Sequence, residues 1–230
     1  MKTKTKPILK ITITGKSALA IAACLLFALL AALFITATYP AQTRETLAEW
    51  QPEMKPDTAA AQKPTGSTPA NEEAALIRSN GSEVAGGSGG TRKEDPKYSY
   101  FSRGWNADDQ WWQLSGISTK GFGSIEISFA CRGSNTGPKN FSLQYSTDAS
   151  EWLPLTDSKG AAIKYSIGAD NKFHRYGPFP LTAGISDIDR PHIRFIATDK
   201  ESVNGETVKS AGTNSIADIA VTGVFQQERG

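Results

Sequence analysis

The sequence predicts an all-β fold, a single antiparallel β-sandwich, for the C-terminal part of the chain. Short stretches of alternating apolar and polar residues recur from about Tyr98 to Phe225, with residues typical of turns between them. No long segment shows the 3.6-residue period of an amphipathic helix. Because about 130 residues suffice for one sizeable core, we expect one domain over residues 98–226.

The clearest predicted strand lies within Asn135–Asp148, after a polar turn that contains Gly137 and Pro138. Its apolar and polar residues alternate: Phe141, Leu143 and Tyr145 against Ser142, Gln144 and Ser146. This period gives one buried face and one solvated face. The same reasoning predicts a core that contains Phe129, Phe141, Leu143, Tyr145, Phe195 and Ile219.

An uncharged apolar run occupies residues 17–38 and follows a lysine-rich segment, residues 1–16. About 20 apolar residues are needed for a membrane-spanning helix. The lysines keep the N-terminus in the cytoplasm under the positive-inside rule, so the remainder would be exported. We therefore predict a retained transmembrane signal-anchor helix, with a cleaved signal peptide as the alternative.

Residues 39–97 differ in composition from both neighbouring segments. Pro, Ala, Gly, Ser, Thr, Glu and Lys dominate, and large apolar residues are scarce. Such a segment cannot bury enough surface to offset its ordering entropy. It is therefore predicted to be a disordered linker, with Gly86–Gly90 as a flexible joint. In this interpretation Trp50 is a solvated aromatic residue or a membrane-interface anchor.

Charge and reactive residues exclude several function classes. The net charge is +2, and the basic excess precedes the apolar run, which argues against nucleic-acid binding. Cys24 lies within that run, so it is not expected to pair with Cys131, and the cysteines lack metal-ligand spacing. His174 and His192 stand in predicted strands without a grouped nucleophile and carboxylate. We predict no catalytic residues and no enzyme activity.

Two adjacent tryptophans indicate a ligand-binding surface. Successive strand residues face opposite ways, so Trp111 and Trp112 cannot both be buried. Trp112 shares its face with Leu114 and is assigned to the core. An exposed Trp111 could stack on a sugar ring, with polar neighbours fixing its orientation: Arg103, Asn106 and Gln113. The alternative is an edge tryptophan covered by a loop. We expect burial of the other domain tryptophans, Trp105 and Trp152.

Several motifs in this order carry a family resemblance: Gly104-Trp105, Trp111–Gln113, Ser118–Phe122, Arg132–Asp148, Ser202–Val208 and Ile216–Gly223. Together they resemble a β-sandwich accessory module of bacterial secreted and surface-anchored proteins. Such modules stand beside S-layer-type, phosphoesterase or nuclease domains. Their fold is similar to the jelly-roll of galactose-binding-like and carbohydrate-binding domains.

The resemblance implies a non-catalytic binding module, for carbohydrate or for a glycan of the cell envelope. It also implies a structural calcium held by Asp218, although calcium needs about six to eight oxygen ligands. With the apolar run, it predicts a single-pass protein of the bacterial cytoplasmic membrane whose sandwich is extracellular. Docking of an envelope protein is the alternative function, and a hydrolase is a third. Ligand identity and oligomeric state stay open.

Overall fold

The structure is a computed structural model that describes residues 43–181 and 184–226, without the side chain of Asn80. Contacts divide the chain into Met1–Gln42 and Thr43–Gly230, and the described residues belong to the second unit. The predicted cytoplasmic segment and spanning helix lie outside the described residues. Within those residues, no helix combines the length and apolarity needed to cross a membrane.

Strands make up nearly all the regular structure of the described residues. The strands are β1 (Arg44–Trp50), β2 (Ala61–Gln62), β3 (Gly66–Ser67), β4 (Ala75–Arg78), β5 (Ala85–Ser88), β6 (Tyr98–Ser102), β7 (Trp111–Ser115), β8 (Phe122–Gly133), β9 (Asn140–Ser146), β10 (Leu153–Pro154), β11 (Lys164–Ser166), β12 (His174–Pro180), β13 (His192–Ala197) and β14 (Asn214–Phe225). Two short 3₁₀ helices, η1 (Pro69–Asn71) and η2 (Ser79–Gly81), flank β4.

The strands form two sheets of seven strands each. Sheet 1 has the order β12-β8-β14-β1-β3, with β6 beside β14 and β5 beside β6. Sheet 2 has the order β10-β9-β13-β7-β4-β2, with β11 beside β9. The strand pairs within both sheets are antiparallel. The predicted all-β antiparallel sandwich is confirmed.

The core contains a cluster of aromatic rings around Phe129. Its ring centroid lies 5.0 Å from that of Tyr165 and 4.9 Å from that of Phe195. Of the predicted core residues, five are buried: Phe129, Phe141, Leu143, Phe195 and Ile219. The prediction for Tyr145 is wrong, because this residue is only partly buried. It is the penultimate residue of β9 and pairs with Leu153 of the two-residue strand β10, near the edge of sheet 2.

The prediction of a disordered linker is wrong for residues 43–97. Strand β1 lies inside sheet 1 between β14 and β3, paired from Arg44↔Val224 to Trp50↔Ile219. The Trp50 side chain is 0% exposed, and its Nε1–H donates to the Gln62 carbonyl at 3.0 Å. The large apolar residues of this segment are few, yet strands distant in sequence bury them. The average composition of a segment does not show whether distant strands will cover its apolar residues.

The glycines at 86–90 allow close packing in sheet 1. Ala85–Ser88 is strand β5, which pairs with β6. A Cβ atom on Gly86 would lie 1.8 Å from the carbonyl oxygen of Pro56. Glycine therefore permits the close approach of two backbones here, and the prediction of a flexible joint is wrong.

Candidate functional site: the polar face of sheet 2

Strand β7 presents its two tryptophans to opposite sides of sheet 2. Trp112 is buried between the sheets, where its Nε1–H donates to Oδ1 of Asn214 at 2.8 Å. Leu114 is buried on the same side. The predicted burial of Trp112 is therefore confirmed. Trp111 and Gln113 consequently lie on the outer side of the sheet, because strand residues alternate.

The register of sheet 2 assembles a row of side chains on this outer side, across β9, β13, β7 and β4: Gln144, Arg194, Gln113 and Ile77. One flanking row consists of Ser142, Ile196 and Trp111, and the other of Ser146, His192, Ser115 and Ala75. We call these eleven residues the polar face. With neighbouring strands about 4.8 Å apart, the central row spans about 14 Å.

The indole of Trp111 is partly buried, whereas the sequence predicted an exposed ring. Its cross-strand neighbour on β13 is Ile196. In the ranges that the structure describes, the indole makes no hydrogen bond or aromatic contact. The backbone of Trp111 is held from the β4 side, because its N–H donates to Ser79 Oγ at 3.3 Å and its carbonyl accepts from Arg78. These two bonds hold the backbone of Trp111 at the start of β7.

A buried arginine organises the start of β7. The Arg78 guanidinium donates to the Trp111 carbonyl at 2.7 Å and to Gln110 Oε1 at 3.1 Å. Its carbon Cζ lies 3.7 Å from the ring centroid of Trp105, a cation–π contact. Burial lowers the pKa of Arg78 to about 9. Neutral acceptors and indole rings thus stabilise this cation, and it ties β7 to β4.

Arg194 stands at the centre of the polar face. Its Nε–H donates to Gln144 Oε1 at 2.6 Å, and its Cζ lies 4.1 Å above the Trp152 ring. Among the described residues, no carboxylate forms an ion pair with it. Burial lowers the pKa of Arg194, and the negative charge of Asp109 opposes that shift. The predicted burial of Trp152 is wrong, since this indole is partly exposed beneath the guanidinium.

The two histidines have separate environments. On the polar face, His192 Nδ1 lies 2.9 Å from Ser115 Oγ. Burial lowers the pKa of His192 against the opposing effect of Asp148, so the imidazole is neutral at pH 7. His174 instead pairs with Asp170, Nε2 to Oδ1 at 2.8 Å. In residues 43–181 and 184–226, neither imidazole hydrogen-bonds to both a hydroxyl and a carboxylate.

A cleft of about 320 Å³ continues from the Trp111 end of the polar face. The loops before β7 and after β13 line it, with Asp108, Asp109, Gln110, Asp199 and Lys200 among its residues. Lys200 Nζ lies 3.1 Å from Asp108 Oδ1. The Asp199 carboxylate accepts from Asn140 Nδ2 at 3.0 Å. This end of the site is therefore rich in acceptors, with one of its acids neutralised.

The structure brings together two of the four predicted binding residues. Trp111 and Gln113 share the polar face, although Gln113 is only 5% exposed. Arg103 and Asn106 are exposed in the loop before β7, and their side chains make no hydrogen bond with Trp111 or Gln113 in the described structure. Their carbonyls accept from Arg78 and Lys200 instead. A ligand role for these two side chains stays a prediction.

Sequence reasoning missed Arg194 and Gln144, which lie in the same row as Gln113, and the Trp152 ring beneath Arg194. The alternation in His192–Ala197 does place Arg194 opposite its apolar neighbours Ile193 and Phe195. That signal assigns a face but not a neighbouring strand. Only the register of β13 between β9 and β7 places the guanidinium beside both glutamines.

The calcium role that the resemblance implied for Asp218 stays a prediction. It lies at a register shift in β14, with φ 47°. Its Oδ2 accepts from Arg175 Nη2 at 2.7 Å, which engages the carboxylate with a cation. In the described ranges, no cluster of three or more His, Cys, Asp or Glu residues is suited to a metal. In the described structure the Asp218 carboxylate is therefore engaged by Arg175.

A smaller cavity of about 190 Å³ lies on sheet 1, with Arg92, Asp95, Phe173 and Arg175 among its lining residues. Arg92 Nη2 is paired with Asp95 Oδ1 at 2.8 Å. Arg175 is paired with Asp218. Because both arginines are neutralised by neighbouring acids, this cavity is a weaker candidate than the polar face.

No protein-family model and no curated protein matches the chain. Solved structures resemble it at low identity. One is the CBM22-1 xylan-binding domain of Xyn10C from Paenibacillus barcinonensis, 11% identical over 82% of this chain and 99% of that one, with a TM-score of 0.44. Another is TmCBM61 in complex with β-1,4-galactotriose, 8% identical over 67% and 89%, with a TM-score of 0.38.

A third similar structure is the enzymatically active domain of tailspike protein 4 from bacteriophage CBA120. It is 13% identical over 66% of this chain and 19% of that chain, with a TM-score of 0.37. Both binding modules and part of an enzyme are thus similar to this chain. At these TM-scores the similarity assigns no function.

Proposed function

We propose that this chain is a non-catalytic carbohydrate-binding protein that binds glycan across the polar face of sheet 2. One observation carries the proposal. A partly buried indole, Trp111, lies in the row directly beside the row of amide and guanidinium side chains, Gln144, Arg194 and Gln113. Sugars have apolar C–H faces and many hydroxyl groups, so they need both kinds of partner.

The hydrogen-bonding groups of the polar face suit sugar hydroxyls. Gln113 and Gln144 each carry an amide that can donate and accept, and the serine hydroxyls can do the same. Hydroxyl groups likewise act as donors and acceptors, so either orientation of a ligand finds partners. The central row extends about 14 Å across the strands, enough for more than one sugar ring.

The apolar residues favour a glycan over a docked protein. The polar face offers few large apolar groups, each partly buried: Trp111 with its cross-strand neighbour Ile196, and Ile77 in the central row. Protein-docking surfaces more often expose a large contiguous apolar patch. The large hydrophobic residues that are well exposed in the described structure, Met54, Leu153 and Phe225, lie outside the polar face.

Replacing Trp111 by alanine should weaken glycan binding by about tenfold or more, since a central aromatic contact commonly contributes at least about 2 kcal/mol. The full chain, purified in detergent, would be applied to a glycan array. Affinity for the retained glycans would then be measured by calorimetry. Circular dichroism should show an unchanged fold, because the indole is not part of the core.

Phe225→Ala is the matched control, because it removes an exposed aromatic ring from sheet 1. It should leave glycan affinity unchanged. Equal loss in both variants would indicate nonspecific adhesion to aromatic rings. If the chain binds no glycan but captures an envelope protein through the polar face, the docking alternative replaces this proposal.

We further propose that residues 17–38 anchor the chain in a bacterial cytoplasmic membrane, with residues 1–16 inside and the sandwich outside. The lysines before the uncharged run support this orientation. Protease added to intact spheroplasts should then digest the sandwich while a cytoplasmic marker survives. Survival of both would place the sandwich inside the cell and overturn the proposed display.

A further inference from the structure

We propose that the polar face prefers glycans with carboxylate-bearing sugars, and that Arg194 binds the carboxylate. The inference rests on the proposed carbohydrate-binding function and adds the class of ligand. The contacts of the Arg194 guanidinium support it. Arg194 uses Nε to reach Gln144 and stacks on Trp152, and in the described residues neither Nη atom has a hydrogen-bond acceptor.

Those two contacts orient the guanidinium for a carboxylate. The indole of Trp152 supports one side of the group, and the bond from Nε to Gln144 restricts its rotation. The edge formed by Nη1 and Nη2 is left for a ligand. Two parallel N–H groups on this edge match the two oxygens of a carboxylate, a geometry that a lysine cannot reproduce.

In the described structure, no carboxylate of the chain forms an ion pair with this cation. Its cross-strand neighbours, Gln113 and Gln144, are neutral amides. Asp109 lies at the cleft end and forms no ion pair with it in the described structure. Asp148, at the opposite end, accepts from Ser146 Oγ at 2.9 Å and from the Ser150 N–H at 2.9 Å. The charge of Asp109 acts on Arg194, but a half-buried cation that forms no ion pair with a described carboxylate still favours an anionic ligand.

The test compares two forms of one glycan: oligomers of galacturonic acid and their methyl esters, which lack the charge. The full chain in detergent should bind the acid at least about tenfold more tightly at low salt, as expected for a charge-assisted pair. Raising the salt should reduce this preference. Arg194→Gln should abolish it, and Arg194→Lys should retain only part of it because the forked geometry is lost.

Several outcomes separate this inference from the proposed function. Equal binding of acid and ester, or binding of other neutral glycans alone, overturns the role of Arg194 and leaves carbohydrate binding intact. Failure to bind any glycan overturns both. If Arg194→Gln does not fold, the ester comparison on the unaltered chain and the Arg194→Lys variant still decide the question. A preference that survives in Arg194→Gln assigns the carboxylate to another group and overturns the proposal.

Discussion

A chain that begins at Tyr98 is expected not to fold cooperatively, although the sequence pattern places the domain start there. The truncation removes β1 through β5. Strand β1 lies within sheet 1, and β4 lies within sheet 2 between β7 and β2. Core residues are lost with them, namely Leu47, Trp50, Leu76 and Val84, each 0% exposed. Removal of interior strands exposes backbone groups and apolar surface in both sheets.

Urea unfolding followed by tryptophan fluorescence would measure this effect, with a chain that begins at Thr43 as the control. The control should unfold in one cooperative transition. A point variant gives an independent measure, since Trp50→Ala should reduce the free energy of unfolding by about 3–5 kcal/mol. Cooperative unfolding of the chain from Tyr98, at the midpoint of the control, would contradict the assignment of residues 43–97 to the fold.

Replacing Phe129 by alanine should lower the free energy of unfolding by about 3–5 kcal/mol. Its ring, 1% exposed, contacts four other aromatic rings, those of Tyr165, Tyr176, Phe179 and Phe195. These rings come from both sheets, so the cavity left behind cannot close without moving the sheets. Chemical denaturation with an unchanged m-value would show that stability alone has changed.

Phe225→Ala serves again as a matched control for this variant. The Phe225 side chain is 49% exposed and its only aromatic contact in the described residues is Phe122, at a centroid distance of 5.5 Å. Its loss should therefore reduce stability by about 1 kcal/mol or less. If both variants lose equal stability, Phe129 does not hold the central position that the structure gives it.

The candidate site could be predicted only in part from the sequence. The alternation in β7 correctly separated Trp112 from Trp111, because side-chain direction in a strand is a local property. The same reasoning grouped Arg103 and Asn106 with Trp111, since they are close in sequence. Their side chains extend from a loop, whereas the strands that pair with β7, and so supply the cross-strand neighbours of Trp111 and Gln113, are β13 and β4. Sequence proximity is a poor guide to neighbours across a sheet.

Arg78 is a second residue, this one inside the protein, whose spatial neighbours are not its sequence neighbours. An arginine next to Ser79 in a polar segment is expected to be exposed to solvent, because burying a cation is costly. The fold instead surrounds it with the Trp111 carbonyl, Gln110 and the Trp105 ring. These acceptors come from a loop and a strand about 30 positions along the chain. No local pattern could reveal that they converge on one guanidinium.

The sequence by itself determined the all-β class, the strand alternation and most of the core. Each depends on the period of two, which a short window contains in full. The tertiary structure decided that residues 43–97 belong to the sandwich, and that Arg194 lies between Gln144 and Gln113. Both outcomes depend on pairing between distant strands. The free energy of such pairing comes from burial shared by residues far apart in the chain, which no window along the sequence contains.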